Sequence, residues 1–220
     1  RKWLVDIKDS QAPNGQLPDV VPFAAGKAGG RLPGDPSWTV AYPLLIWHTY
    51  TTYGDQGTLE EHYEGLKLYV DSLTMQARAD GILTAGFYGD WVAIKETPIE
   101  LTSTFSYAYA LAVASNVSSI LGLTADSLAF DKQLTHVKAG FNHAFLVNES
   151  LGARGLESGI YYGHDSQTAN ALSLFSFGGL TASFAEAGLG GTTGAALFHV
   201  VKNRLLDVNI LSESNAHLNF

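Results

Sequence analysis

Two short segments carry the residue types with chemistry to offer. One reads Gly34-Asp35-Pro36-Ser37-Trp38, the other Phe87-Tyr88-Gly89-Asp90-Trp91. Each sets an indole beside a carboxylate in a connection between helices. An indole face stacks on the apolar face of a pyranose, and a carboxylate accepts hydrogen bonds from hydroxyls. The repeated pairing therefore points to a sugar site, with Trp38, Trp91, Asp35 and Asp90 as its contacts. The plainer reading makes each Trp a loop anchor on the core, and each Asp a turn or N-cap residue whose carboxylate satisfies free backbone N–H groups. Glu96 and Glu100 bring two more acids to the second loop. Glycoside hydrolysis needs a carboxyl pair, about 6.5–9.5 Å apart for inversion and about 5–5.5 Å for retention. Position along the chain does not give that separation, and both aspartates are equally suited to binding hydroxyls without moving protons.

Other constellations have simpler explanations. Glu60-Glu61-His62 with Glu64 has metal-ligand letters but falls on the first turns of a helix, where acids suit the dipole, and reads as a solvated face. His136 and His143 share a helix face and have no ligand partner in sequence. His164-Asp165-Ser166 spells a triad, yet neighbours in sequence cannot form triad geometry. The run Gly188-Leu189-Gly190-Gly191-Thr192-Thr193-Gly194 matches neither dinucleotide nor P-loop spacing and has no following Lys, so a linker with a Thr N-cap is expected. Asn116-Val117-Ser118 and Asn148-Glu149-Ser150 are glycosylation sequons, relevant if the protein is secreted. Neither a metal site nor a cofactor is called for.

Elements must position the Trp–Asp pairs, and composition bounds what those elements are. The 220 residues suffice for one sizeable core, 46% are hydrophobic, and only 15% are charged, which implies extensive burial. The net charge of −8 and the scattered Lys and Arg argue against nucleic-acid partners, since phosphate binding rests on clustered cations. Cysteine is absent, which excludes disulfides and thiolate chemistry. No apolar run reaches the ~18 residues of a membrane span, so no membrane partner is expected.

The hydrophobic period is helical nearly throughout. A short helix around Trp3–Ile7 precedes a long loop, 12–38, whose Leu17, Val20, Val21 and Phe23 predict order. Helices follow over about 39–53, closed by Gly54, and from Thr58, read as N-cap of a capping box with Glu61. Further helices are expected over about 101–121, 126–145, 166–177, 183–187 and 193–207. Val and Ile are sparse, so β-structure should be minor. The pattern is helix pairs with alternating short and long connections, without a fixed repeat of about 34 or 40 residues.

The runs Lys2-Trp3-Leu4-Val5-Asp6-Ile7-Lys8-Asp9-Ser10-Gln11 and Asn14-Gly15-Gln16-Leu17-Pro18-Asp19-Val20-Val21-Pro22 open a series. Asp35-Pro36-Ser37-Trp38, Tyr53-Gly54-Asp55, Gly89-Asp90-Trp91, Lys138-Ala139-Gly140-Phe141-Asn142 and Gln167-Thr168-Ala169-Asn170-Ala171-Leu172 continue it in order. Nearly the whole chain thereby resembles the catalytic domain of glycoside hydrolase family 78, the α-L-rhamnosidases. The resemblance implies an all-α fold, a partial (α/α)6 toroid spanning residues 1–220 and cut at both ends, and inverting hydrolysis of terminal α-L-rhamnose. It implies that both catalytic glutamates lie outside this chain, one upstream of Lys2-Trp3 and one downstream of His217-Leu218. Trp38 and Trp91 would match sugar-contacting aromatics, with Asp90 close by. The expected partners are a rhamnose-containing glycoside or polysaccharide and the remaining segments of the same domain. Where many bacterial members read Trp-Gly-Asp, this chain has Trp38-Thr39-Val40, so that Asp is lost. Another six-hairpin glycosidase or lyase, and a non-catalytic carbohydrate-binding or scaffold fragment, are the rival readings. Alone, such a section would expose apolar faces at its cut edges.

Overall fold

Leu4 and Ile7, three residues apart, put one face of the first helix, α1 (Lys2–Asp9), into the core. The computed structural model describes residues 1–23, 30–91, 93–149 and 159–176. After α1 the chain runs through the long loop. Gln11 Nε2 donates to the carbonyls of Gly15 and Gly65 and so fastens the loop to the interior. Gly15 has φ +85°, and a Cβ there would lie 2.0 Å from the Leu68 carbonyl oxygen, so only glycine fits. The described parts of the loop are ordered as its apolar residues predict.

The loop ends in a single turn of helix, α2 (Pro36–Thr39), which sequence periodicity missed. Asp35 caps it by accepting from the Ser37 amide, and Pro36 takes the first position, where a missing N–H costs nothing. Trp38 thus sits on a helix, not in a loop. Then come α3 (Ala41–Tyr53), closed by Gly54 in the left-handed conformation with its N–H donating to Tyr50, and α4 (Gln56–Thr74). The N-cap of α4 is Asp55, not Thr58. The Asp55 carboxylate accepts from the Thr58 amide at 3.3 Å and the Thr58 hydroxyl at 2.7 Å, and it pairs with Arg1.

A second hairpin consists of α5 (Ile99–Ile120) and α6 (Thr124–Phe145), joined through Gly122 at φ +74°. Two short antiparallel strands follow, β1 (Leu146–Glu149) and β2 (Gly159–Tyr162), with Leu146 opposite Tyr162, and then α7 (Gln167–Ser176). This pair is the one sheet among the described residues. The predicted helices over 183–187 and 193–207, and the Gly188–Gly194 run, lie outside the described residues. No described helix is long and apolar enough to cross a membrane.

Helix α5 packs against α2, α3, α4, α6 and α7 and is buried along most of its length. The main core gathers Tyr42, Ile46, Leu59, Leu66, Tyr107 and Leu111. A smaller cluster of Leu101, Phe141, Tyr162 and Ala169 seats α7 and β2. The stretch read as a solvated face divides: Glu60, Glu61 and Glu64 are exposed, but His62 is buried, with Nδ1 3.1 Å from the Tyr42 hydroxyl. His62 lies on the stripe of Leu59, Tyr63, Leu66 and Tyr69, so helical period overrides polarity at this position.

Candidate functional site

The two Trp–Asp segments, 53 positions apart by their tryptophans, meet in space. Trp38 and Trp91 have ring centroids 5.9 Å apart, and Tyr88 joins both, at 4.9 Å from Trp38 and 5.3 Å from Trp91. The indoles remain open to solvent, Trp38 at 43% and Trp91 at 60% exposure. Exposed large aromatics in mutual contact form a platform rather than a core. Tyr88 was not singled out from the sequence, although it stands three positions before Trp91.

The turn that presents Trp91 is tightly wound. Gly89 has φ +59° and Trp91 φ +43°, and the Trp91 amide donates to the Tyr88 carbonyl at 3.3 Å. Tyr88 is held from the other side: its hydroxyl donates to Asp19 Oδ2 at 2.8 Å, and the adjacent carboxylate raises the phenol's pKa. Asp19 Oδ1 is buried without a hydrogen bond. The Arg31 guanidinium lies 4.1 Å from the centre of the Phe87 ring. The long loop therefore supplies Asp19 and Arg31 to the surroundings of the platform.

The two aspartates part company. Asp90 is partly exposed. Its Oδ2 accepts from the Thr97 hydroxyl at 2.7 Å, and Thr97 Oγ1 lies 2.5 Å from Ser166 Oγ, which accepts from the Ala169 amide at the start of α7. Among the described residues Asp90 Oδ1 takes no hydrogen bond and is not buried, so it is free to accept one from a ligand. Asp35 corrects the expectation placed on it. It is 0% exposed, and its oxygens are occupied by Ser37, Phe87 and Tyr88, so it has no surface to offer a sugar hydroxyl. It behaves as the N-cap that the plainer reading allowed.

Glu96 and Glu100 are both exposed, Glu100 in the first turn of α5. The His164-Asp165-Ser166 run is structural in its contacts: Ser166 joins Thr97, and Asp165 accepts from Asn170 Nδ2. His136 Nε2 lies 2.9 Å from the Ala79 carbonyl oxygen, and His143 is exposed. Among the described residues no group of three or more His and carboxylates is placed to hold a metal ion.

Paired antiparallel helices that bring two Trp-bearing segments together define a helical-hairpin domain. The chain belongs to the family of the bacterial alpha-L-rhamnosidase 6 hairpin glycosidase domain, whose model matches residues 1–187. It is similar to an alpha-L-rhamnosidase of Streptomyces avermitilis, 29% identical over 150 residues, which are 67% of this chain and 14% of the relative. It is also similar to one from Alteromonas sp., 27% identical over 187 residues, 78% of this chain and 18% of the relative. Among solved structures, the alpha-L-rhamnosidase from Dictyoglumus thermophilum superposes with TM-score 0.71 at 33% identity, covering 96% of this chain and 22% of that one. The S. avermitilis alpha-L-rhamnosidase complexed with L-rhamnose gives TM-score 0.75 at 24% identity, covering 96% and 18%. The architecture is thus that of the six-hairpin glycosidases, and this chain spans about a seventh to a fifth of the length of the relatives it matches.

Proposed function

We propose that this chain forms part of the sugar-binding cavity of an α-L-rhamnosidase that removes terminal α-L-rhamnose with inversion. One observation carries the reading: Trp38, Tyr88 and Trp91 form an open three-ring platform, and Asp90, next to Trp91 in sequence, keeps one oxygen without a hydrogen bond among the described residues, in a chain of the rhamnosidase hairpin family. In this reading the indoles stack on the apolar face of the sugar, and Asp90, steadied by Thr97 and Ser166, accepts a hydroxyl hydrogen bond. Parts of the domain outside residues 1–220 supply two glutamates. One protonates the departing glycosidic oxygen, and the other takes a proton from the water that attacks the opposite face. Sequence resemblance and the names of the relatives support the substrate; the platform supports the residues. Trp91→Ala in the native polypeptide carrying this chain should lower kcat/KM on an aryl α-L-rhamnoside by roughly tenfold or more, about 1.4 kcal/mol of lost stabilisation. Unchanged kinetics would remove Trp91 from the site, and binding of the sugar without any hydrolysis would move the protein to the carbohydrate-binding class.

A further inference from the structure

We infer that Asp35 is a positioning residue, a buried carboxylate that fixes the Trp38 segment against the Tyr88–Trp91 turn and so sets the shape of the platform. Its functional consequence rests on the sugar-platform reading; its structural half does not. A carboxylate has about four acceptor sites, and four donors reach the one on Asp35. Oδ1 accepts from the Ser37 amide at 2.8 Å and the Ser37 hydroxyl at 2.6 Å. Oδ2 accepts from the Phe87 amide and, at 2.8 Å, from the Tyr88 amide. One oxygen therefore serves the helix that carries Trp38 and the other serves the turn that carries Tyr88 and Trp91, across a sequence separation of 52 and 53 residues.

The residue is also tied down along its own backbone. The Asp35 carbonyl accepts from the Trp38 amide at 3.0 Å and from the Thr39 hydroxyl at 3.1 Å, and that hydroxyl lies 2.8 Å from the Tyr69 hydroxyl on α4. A movement of Asp35 relative to either loop would leave its fully buried carboxylate short of donors, which is unfavourable, so the junction is stiff. Asparagine keeps the size but replaces one acceptor oxygen with an NH2 group. Whichever way the amide turns, it aims hydrogens at two donors, and one of the two segments loses its hold.

The test is Asp35→Asn in the native polypeptide carrying residues 1–220, read by three measurements. Far-UV circular dichroism reports retained helix. Near-UV circular dichroism without ligand reports the packing of the three rings, and its aromatic signal should fall. KM for an aryl α-L-rhamnoside should rise roughly fivefold with kcat within about twofold, the pattern of lost uniform binding. A merely structural fault would instead lower kcat with the folded fraction and leave KM alone. Native near-UV signal and native KM would overturn the inference. If the variant does not fold, hydrogen exchange of the unmodified protein decides: the Phe87 and Tyr88 amides should be protected like those of neighbouring helices, and exchange at open-loop rates would overturn it. Should Trp91→Ala leave the kinetics untouched while Asp35→Asn still alters the near-UV signal, the sugar reading fails and the clamp stands.

Discussion

His62 shows how one buried titratable side chain can set a response of the whole fold. Burial, the dominant effect, holds its pKa below the ordinary 6.5, with Lys8 and the Arg1 side chain acting in the same direction against Glu61. In the unfolded chain the imidazole takes up a proton near pH 6.5, whereas in the fold it does so only at lower pH. Its contribution to stability is therefore complete above about pH 6.5 and declines as the pH falls below that value. The melting temperature should drop between about pH 7 and pH 5, and His62→Gln should flatten that part of the profile. An equally steep profile in the variant would mean that other groups cause it. At this scale the sequence marks Trp38, Trp91 and Asp90 as candidates by residue type and spacing, and the structure brings the two indoles together. Tyr88 was not legible, since nothing local marks a tyrosine whose partners are Asp19 and Trp38. Nor was the division of labour between the two aspartates, which depends on amides some fifty positions away.

Among the elements, α6 offers the sharpest test of packing against propensity. Gly140 lies in its interior, where alanine would ordinarily favour the helix by about 1 kcal/mol. A Cβ at this position, however, would stand 1.8 Å from the Asp80 carbonyl oxygen, in the turn after α4. Close approach should win, and Gly140→Ala should destabilise the protein by about 1–3 kcal/mol in denaturant unfolding. A stabilised variant would show that α6 and the Asp80 turn are not in this contact. The long helices could be read from their apolar stripes to within a few residues, except that α4 closes at Thr74 and not at the Asp80-Gly81 break that the sequence suggests. The start of α4 could not, because Asp55 and Thr58 are both good caps and only the fold shows which one has free amides ahead of it. The single turn α2 is too short for any period to register.

For the molecule as a whole, the class of fold was legible from helical period and from the ordered series of short motifs, and the family match bears that out. What no periodicity could give is the meeting of the 35–38 and 87–91 segments, a tertiary contact among loops. We propose that the chain is one section of a longer hairpin domain, in keeping with the small share of each relative that it spans. Trp3, Tyr53, Met75 and Leu128 are among the large apolar side chains it leaves exposed. Expressed by itself, the 220-residue chain should therefore associate in a concentration-dependent manner, which light scattering or sedimentation would detect. A monodisperse monomer with a cooperative melt would contradict the proposal.

Trp91 stands on backbone at φ +43°, a conformation natural to glycine and unfavourable by about 1–2 kcal/mol for a residue with a Cβ. Its neighbour two positions back, Gly89, already uses that freedom at φ +59°. A bulky, solvent-facing ring at this point works against the stability of its own turn. Glycine at this position would relieve the backbone and forfeit the ring contacts with Trp38 and Tyr88, so the conformation of the turn and the integrity of the platform are bound to one residue.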